Sequence, residues 1–573
     1  MITNSNTNFR ALLSSKNASV QWFVQFFIHF ALIGCLASEM APAVNESHYL
    51  TKAKHAWDAN YAPGDLFLES HDSHLLATTL AGVPAQFLSL DSVAWLGRAL
   101  SWSLFAAAWI SFSAALRIPA FFSPLVLATW YLGMRYGHWA GEWAIGGFEA
   151  KAIAYPFVLF GIAEMLRERW GRVWVLLGAA VAWHPVVGGW AGLSVGIWWL
   201  LQPNLLPRFA RQWPWLLVGA GVGLIGVLPA ASGLGGANQE GNVLASQIHV
   251  YFRLTHHLCP QLFSSERHWA AAGSLLILCI ATWVGRWRLK EMLREQREAS
   301  AGQWQLVGKI LQIAWIAVGF SVLGLVIDQV CLRLGRPDIA SRLLRFYFFR
   351  WSDVAVPLAY TVVGWTAVSQ AVAAIGGPLQ TQGRYRAKYS ERIAQGAILG
   401  SLLIVVFFAF EGWQQTIPAA DRLVVESTGE QRIDTDRYID WLAACDWIEH
   451  NTPSDSLWFT PKYQQSFKWH AGRAEVVCWK DVPQDNASVH EWYRRIERCE
   501  PPRNAMGQVR EWTTEELLDL AREYGFRWVL LDRTTQQTPP VLDFVYPAFS
   551  NGNYVENRSF AVMRVPESFV ESD

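Results

Sequence analysis

Apolar residues come in long, nearly unbroken runs as far as about residue 411, after which the chain changes to short helical and strand periods. Runs long enough to cross a hydrocarbon core of about 30 Å lie at 20–42, 93–116, 119–135, 152–166, 173–184, 186–201, 214–232, 268–286, 306–331, 354–376 and 393–411. They predict a polytopic, all-α transmembrane domain of about eleven helices over 20–411, preceded by a short cytoplasmic segment at 1–19. Several runs between 119 and 201 are shorter than about 17 residues, so the boundaries there are the least determined and two of them can merge or re-enter. The first run also admits a second reading as a signal sequence, since Leu32-Ile33-Gly34-Cys35 fits a lipoprotein box.

From 412 to 573 the pattern is that of a small soluble α/β domain. Tyr438, Leu442, Cys445 and Ile448 sit at helical spacing before Asn451-Thr452-Pro453. Leu457–Thr460, Ala474–Trp479, Arg527–Asp532 and Phe560–Met563 read as strands. Thr513 and Glu516 form a capping box for a helix that ends at Gly525.

Composition agrees with a bilayer protein: 52% of the 573 residues are hydrophobic, 16% are charged, and 32 are Trp, a residue suited to the headgroup level. A formal net charge of zero and the lack of a basic tail or nucleic-acid motif argue against nucleic acid as a partner. The seven Cys residues show no CxxC spacing, which argues against a thiolate zinc site; Cys445, Cys478 and Cys499 can form one disulfide if their domain lies outside the cytoplasm.

Charge also orients the chain. Arg167, Arg169 and Arg172, then Arg208 and Arg211, then Arg286–Arg297, then Arg384–Arg392 all fall on one face when eleven crossings start from a cytoplasmic N-terminus. That parity places the C-terminal domain in the exterior, periplasmic space of a bacterial inner membrane. Residues 332–353 break the rule with Arg333, Arg336, Arg342, Arg345 and Arg350. Either the count slips by one and this loop is cytoplasmic, or an exterior Arg cluster binds phosphate, for which planar guanidinium is suited.

Candidate chemistry concentrates in the first exterior loop. Residues 43–92 hold six carboxylates and two Lys, including Glu46, Lys52, Asp65, Glu69 and Asp72, along with His48, His71 and His74. A carboxylate at the water–lipid boundary can serve as general base or hold a divalent cation against a phosphate leaving group. Glu46-Ser47-His48-Tyr49-Leu50, Ala53 and Gly64-Asp65 are similar to the acidic-x-x-Tyr pattern and later Gly-Asp of the aminoarabinose and mannosyl transferase branches of the GT-C class of polyprenyl-phosphate-dependent glycosyltransferases. The layout of spans, loops and C-terminal domain resembles that class over most of the chain. The resemblance implies transfer of a sugar from a polyprenyl-phosphate donor to an exterior acceptor, with Glu46 as the catalytic or metal-binding carboxylate and a divalent cation (Mg or Mn) as cofactor. Two departures stand out: Asn45 replaces the first of a paired acid, and Glu69–His74 stands where Lys-Pro-Pro is common, so that Asp72 or Glu69 becomes the candidate second carboxylate.

Other polar residues at membrane depth are candidates by their cost alone. Glu149 opens a span and can face the same cavity as Glu46, or pair with Lys151. His184-Pro185 interrupts an apolar run, as a kink or as a catalytic group. Arg253 is a candidate phosphate contact, ranked above the adjacent His256 and His257 as a metal pair, and Arg345 and Arg350 complete the anion-binding set. A transporter or flippase, or a catalytically silent scaffold, are the alternative readings of the same features.

Overall fold

The computed structural model describes residues 18–567 except 236–237, 376–395, 397–398, 401–402, 405, 413, 425–430, 505, 507–508, 548, 551–552 and 555. The apolar runs form helices Ala18–Leu36, Leu90–Ala115, Ser123–Gly137, Ala150–Leu166, Trp170–Trp183, Pro185–Leu200, Leu205–Ser232, Ser265–Arg294, Glu298–Arg333 and Arg350–Ile375. In lipid the backbone must satisfy its own polar groups, which a helix does and an irregular segment does not. Six helical stretches, Ser19–Leu36, Leu90–Ala115, Leu205–Gly235, Ser265–Arg294, Glu298–Arg333 and Arg350–Ala373, are long and apolar enough to cross a membrane. The short runs between 119 and 201 do not merge: they form four separate helices. The eleventh expected run, 393–411, lies partly outside the described residues, with 406–412 helical.

Helix starts follow local chemistry. The Ser89 hydroxyl accepts from Ser92 N–H, and proline opens the helices at Ser123 and Pro185, where no intrahelical partner is lost. Helices Trp170–Trp183 and Leu205–Ser232 approach backbone to backbone through glycine: a Cβ on Gly178 would come within 2.2 Å of the Gly219 carbonyl oxygen. Close approach through small residues is what packs helices where no water is expelled. Ala18–Leu36 packs on Leu90–Ala115 and buries Leu32 and Ile33 in the main core, so the first run is part of the bundle.

Contacts sort the connections between two ends. At one end Arg167 donates to Ser111, Gln303 to the carbonyls of Leu116 and Arg117, and Lys309 pairs with Glu168. At the other, the 43–89 loop, residues 138–149, the 233–264 loop and residues 334–350 meet under the C-terminal domain. Arg345 reaches both Ser246 and Asn486, which places the Arg-rich loop at the capped end together with the acidic loop. The reading that put it at the opposite face is thereby corrected.

The C-terminal domain carries a five-stranded mixed sheet in the order Ala474–Glu475, Leu457–Phe459, Trp528–Asp532, Phe560–Arg564, Asp543–Tyr546. The first three strands are parallel and the last two antiparallel to their neighbours. Helices cover the sheet: Thr435–Asn451 on one face, and Asn486–Arg498 with Thr514–Tyr524 on the other. The capping box at Thr513 and Glu516 forms, and Gly525 ends that helix at a left-handed φ of 75°. The expected strand at 474–479 stops after Glu475 because Val476–Asp481 turns down onto the bundle. Cys445, Cys478 and Cys499 are buried free thiols, so the expected disulfide is not made.

Docking of this domain on the first loop rests on one ammonium group. Lys468 Nζ lies 2.7 Å from Glu475 Oε1, 2.7 Å from Asp481 Oδ2 and 3.2 Å from Asp65 Oδ2, all buried. Asp481 also accepts from His48 Nδ1 at 2.8 Å, and the Tyr61 hydroxyl donates to the Lys468 carbonyl. Burial works against both charges, yet the three carboxylates hold the Lys468 ammonium protonated well above its usual range, and Lys468 holds Asp481 well below the usual carboxylate range. Glu475, Cys478 and Asp481 have the spacing of a metal site, but the lysine already supplies the cation there. Lys468→Met should cost about 3–5 kcal/mol by stranding buried carboxylates. Limited proteolysis should then cut the C-terminal domain at a lower temperature than in the wild type; unchanged resistance would contradict this docking account.

Candidate functional site

Between the capped end of the bundle and the C-terminal domain lies a cavity of about 1220 Å³. It is lined by the first loop, residues 138–151, the 184–193 turn, the Ile248–Arg253 π-helix, residues 345–350 and the 480–484 segment. Eight Arg or Lys side chains line it against four Glu. Part of the wall is apolar, with Leu193 and Val227 54% and 38% exposed.

Glu46 sits in the floor, fully buried, and is already saturated. Arg98 Nε donates to Oε1 at 2.7 Å and Nη2 to Oε2 at 2.6 Å, while Phe148 N–H reaches Oε1 at 2.7 Å and Ala43 N–H reaches Oε2 at 2.8 Å. An ionised carboxylate offers about four lone-pair sites, and all are used. Gly147 has to lack a side chain here, since a Cβ would lie 2.9 Å from Glu46 Oε1. The sequence-based role of Glu46 as catalytic or metal-binding carboxylate is therefore replaced by a structural one.

Glu142 and Glu149 also line the cavity, and each keeps one carboxylate oxygen with no hydrogen-bond donor. Glu149 Oε2 accepts from Asn45 Nδ2 at 2.9 Å, and its Oε1, with no hydrogen-bond donor, lies 3.3 Å from Lys151 Nζ. Lys151 is also 3.4 Å from Glu142 Oε1, which accepts from the Tyr155 hydroxyl at 3.0 Å. Glu142 Oε2 lies 3.0 Å from Arg350 Nε. Asp353 anchors this loop from the next helix by accepting from the backbone N–H groups of Trp139, Ala140 and Glu142. A divalent cation does not fit this donor set, because the Lys151 ammonium already bridges Glu142 and Glu149 and Glu46 has no free lone pair.

The remaining candidates divide. Arg253 and Arg345 line the cavity with no carboxylate partner among the described residues: Arg253 donates to the carbonyls of Trp479 and Lys480, and Arg345 to Ser246 and Asn486. Arg350 is instead committed to Glu142. Asp72 does not line the cavity; its Oδ1 accepts from His74 N–H and shapes the turn that brings His74 in. Glu69 accepts from Gly64 N–H. His184 Nδ1 accepts from Val187 N–H as the cap of the following helix, which leaves its ring only a donor, and it stacks 4.9 Å from His74. His257 donates to the Ala140 carbonyl and makes no metal pair with His256. His74, His249 and Lys480 also line the cavity.

Two buried ring nitrogens at this space, His74 Nδ1 and His249 Nδ1, have no hydrogen-bond partner. Such atoms are rare in folded interiors and mark water or ligand.

A family described as Domain of unknown function (DUF6798) matches residues 439–499, the stretch that carries Lys468, Lys480 and Asp481. No curated protein matches the chain in sequence. Among solved structures, ArnT from Cupriavidus metallidurans bound to undecaprenyl phosphate is 12% identical, with 98% of this chain and 100% of that chain covered and a TM-score of 0.46. The archaeal oligosaccharyltransferase AglB from Archaeoglobus fulgidus, in complex with an inhibitory peptide and a dolichol-phosphate, is 12% identical over 90% of this chain and 70% of that chain, with a TM-score of 0.31.

Glu46→Gln should be lost to misfolding and not to chemistry, with stability down by about 3–5 kcal/mol, whereas Glu149→Gln should melt like the wild type. Thermal melts of both variants in detergent check this, and a normally stable Glu46→Gln protein would contradict the structural assignment.

Proposed function

We propose that the chain is a membrane glycosyltransferase that moves a sugar from a polyprenyl-phosphate carrier to an acceptor on the exterior face, with the C-terminal domain periplasmic. The observation that carries this reading is the cavity itself: a Glu149 carboxylate whose Oε1 has no hydrogen-bond donor beyond the Lys151 ion pair, guanidinium groups of Arg253 and Arg345 with no carboxylate partner among the described residues, and an apolar stretch of wall at Leu193 and Val227. Orientation rests on the basic connections gathered at the opposite end of the bundle.

Glu149 Oε1 takes the proton from the acceptor hydroxyl or amine as that atom bonds to the anomeric carbon. The bond from the anomeric carbon to the carrier phosphate breaks, and its electron pair leaves on the phosphate oxygen. Arg253 and Arg345 hold the phosphate monoester as its charge grows, in a site where burial strengthens the interaction. Arg350 and Lys151 fix Glu142 and Glu149 in place by ion pairing.

Glu149→Gln should lower transfer from a polyprenyl-phosphate sugar by about 10²–10⁴-fold, and a chelator should leave wild-type transfer unchanged because lysine takes the place of the cation. Transfer of radiolabel from lipid-linked sugar in purified membranes measures both. Full activity of Glu149→Gln would reject the base, and loss of activity with chelator would reject the metal-free account.

A further inference from the structure

We propose that Lys480, carried into the cavity by the C-terminal domain, binds the anionic group of the substrate together with Arg253; this rests on the transferase reading and extends its binding site to a second domain. Lys480 Nζ donates to Asn45 Oδ1 at 2.6 Å and has two further N–H groups with no protein acceptor among the described residues. Arg253 is gripped by the Trp479 carbonyl through Nε at 2.9 Å and by the Lys480 carbonyl through Nη2 at 3.4 Å, with its guanidinium over the Trp479 ring. That grip leaves both Nη1 donors unspent. Two cations from elements more than 220 residues apart in the chain are thus held near one another with no carboxylate among the described residues in ion-pair range of either. Such an arrangement repels itself unless an anion sits between the two groups. His249, on the same π-helix as Arg253, adds a buried Nδ1 with no partner.

Asn45 explains why the amide replaces an acid at this position. Its oxygen accepts from Lys480 while its nitrogen donates to Glu149, so it holds cation and base at fixed separation without neutralising the lysine. An aspartate there would pair with Lys480 and repel Glu149.

The same geometry makes binding pH-dependent. Burial, and then the charge of Arg253, pull the Lys480 ammonium down to about 8, opposed by Glu149 and Asp481. Around it, burial lowers His48 and His256 to about 4, so neither imidazole changes charge between pH 7 and 9.5, and Lys468 holds Asp481 well below the usual carboxylate range; the other charged groups facing it are Arg253, Glu149 and Lys151. Lys480 is protonated below about 8 and neutral above it, so anion affinity should fall as pH rises through that value.

The test uses the full chain in nanodiscs with inorganic sulfate, a dianion throughout this range, titrated calorimetrically at pH 7 to 9.5. Wild type should weaken several-fold across that range. Lys480→Met should bind about tenfold more weakly at pH 7 and show no pH dependence, and Lys480→Arg should stay tight and also lose the pH dependence. Wild-type affinity and pH profile in Lys480→Met, with binding still lost in Arg345→Met, would overturn the role of Lys480 alone. Absence of sulfate binding by the wild type would overturn the anion site and with it the transferase reading. If Lys480→Met fails to fold, the Lys480→Arg profile decides.

Discussion

Everything at the capped end depends on the buried pairing of Glu46 with Arg98. The bidentate contact, closed by the N–H groups of Ala43 and Phe148, ties the start of the first loop to the Leu90–Ala115 helix and to the 138–149 loop at a single point. Arg98 also donates to the Glu39 carbonyl, so the chain leaving the first helix is held by the same guanidinium. Asn45 and Glu149 lie one residue from Glu46 and from Phe148 respectively, and their mutual hydrogen bond follows from that anchoring. A charge pair this deep contributes less to net stability than to uniqueness of geometry, because desolvation offsets much of its attraction.

Lysine plays a repeated part around this anchor. Lys151 lies between Glu142 and Glu149, and Lys468 lies among Asp65, Glu475 and Asp481, each where a cluster of carboxylates would otherwise need a metal or a proton. The first holds Glu142 and Glu149 in position inside the cavity; the second fastens the cap that closes it. Lys480 differs, since it is held by a neutral amide and keeps its charge available. Polar side chains facing the cavity therefore fall into paired groups that set geometry and unpaired groups that can meet a ligand. This division, concentrated at one end of the bundle, favours a binding site over a path through the membrane.

Much of this architecture was legible in the sequence. Apolar runs fixed the helices from Ala18 to Ile375 because a lipid-facing helix has little freedom to be anything else, and the capping box at Thr513 marked its helix correctly. The first loop was rightly singled out, and pairing of Glu149 with Lys151 was among its readings. What misled was Glu46: its motif position suggested chemistry, while its partner Arg98 lies 52 residues away inside an apolar run where only the cost of an isolated charge signals it. Arg350 looked like an anion ligand for a similar reason, since Glu142 becomes its neighbour only through tertiary packing. Lys468 and Lys480 carry no local signal at all; in sequence they are ordinary surface residues of a soluble domain, and only docking of the sheet edge on the first loop buries them.

The most direct test of this account is the affinity of the full-length protein for undecaprenyl phosphate in nanodiscs, compared with an Arg253→Met, Arg345→Met double variant. The account predicts saturable binding by the wild type and a loss of at least about 100-fold in the variant, each charge-assisted contact being worth roughly a factor of ten or more. Equal binding by both proteins, or no binding by either, would contradict the claim that this cavity is built for a lipid-borne phosphate.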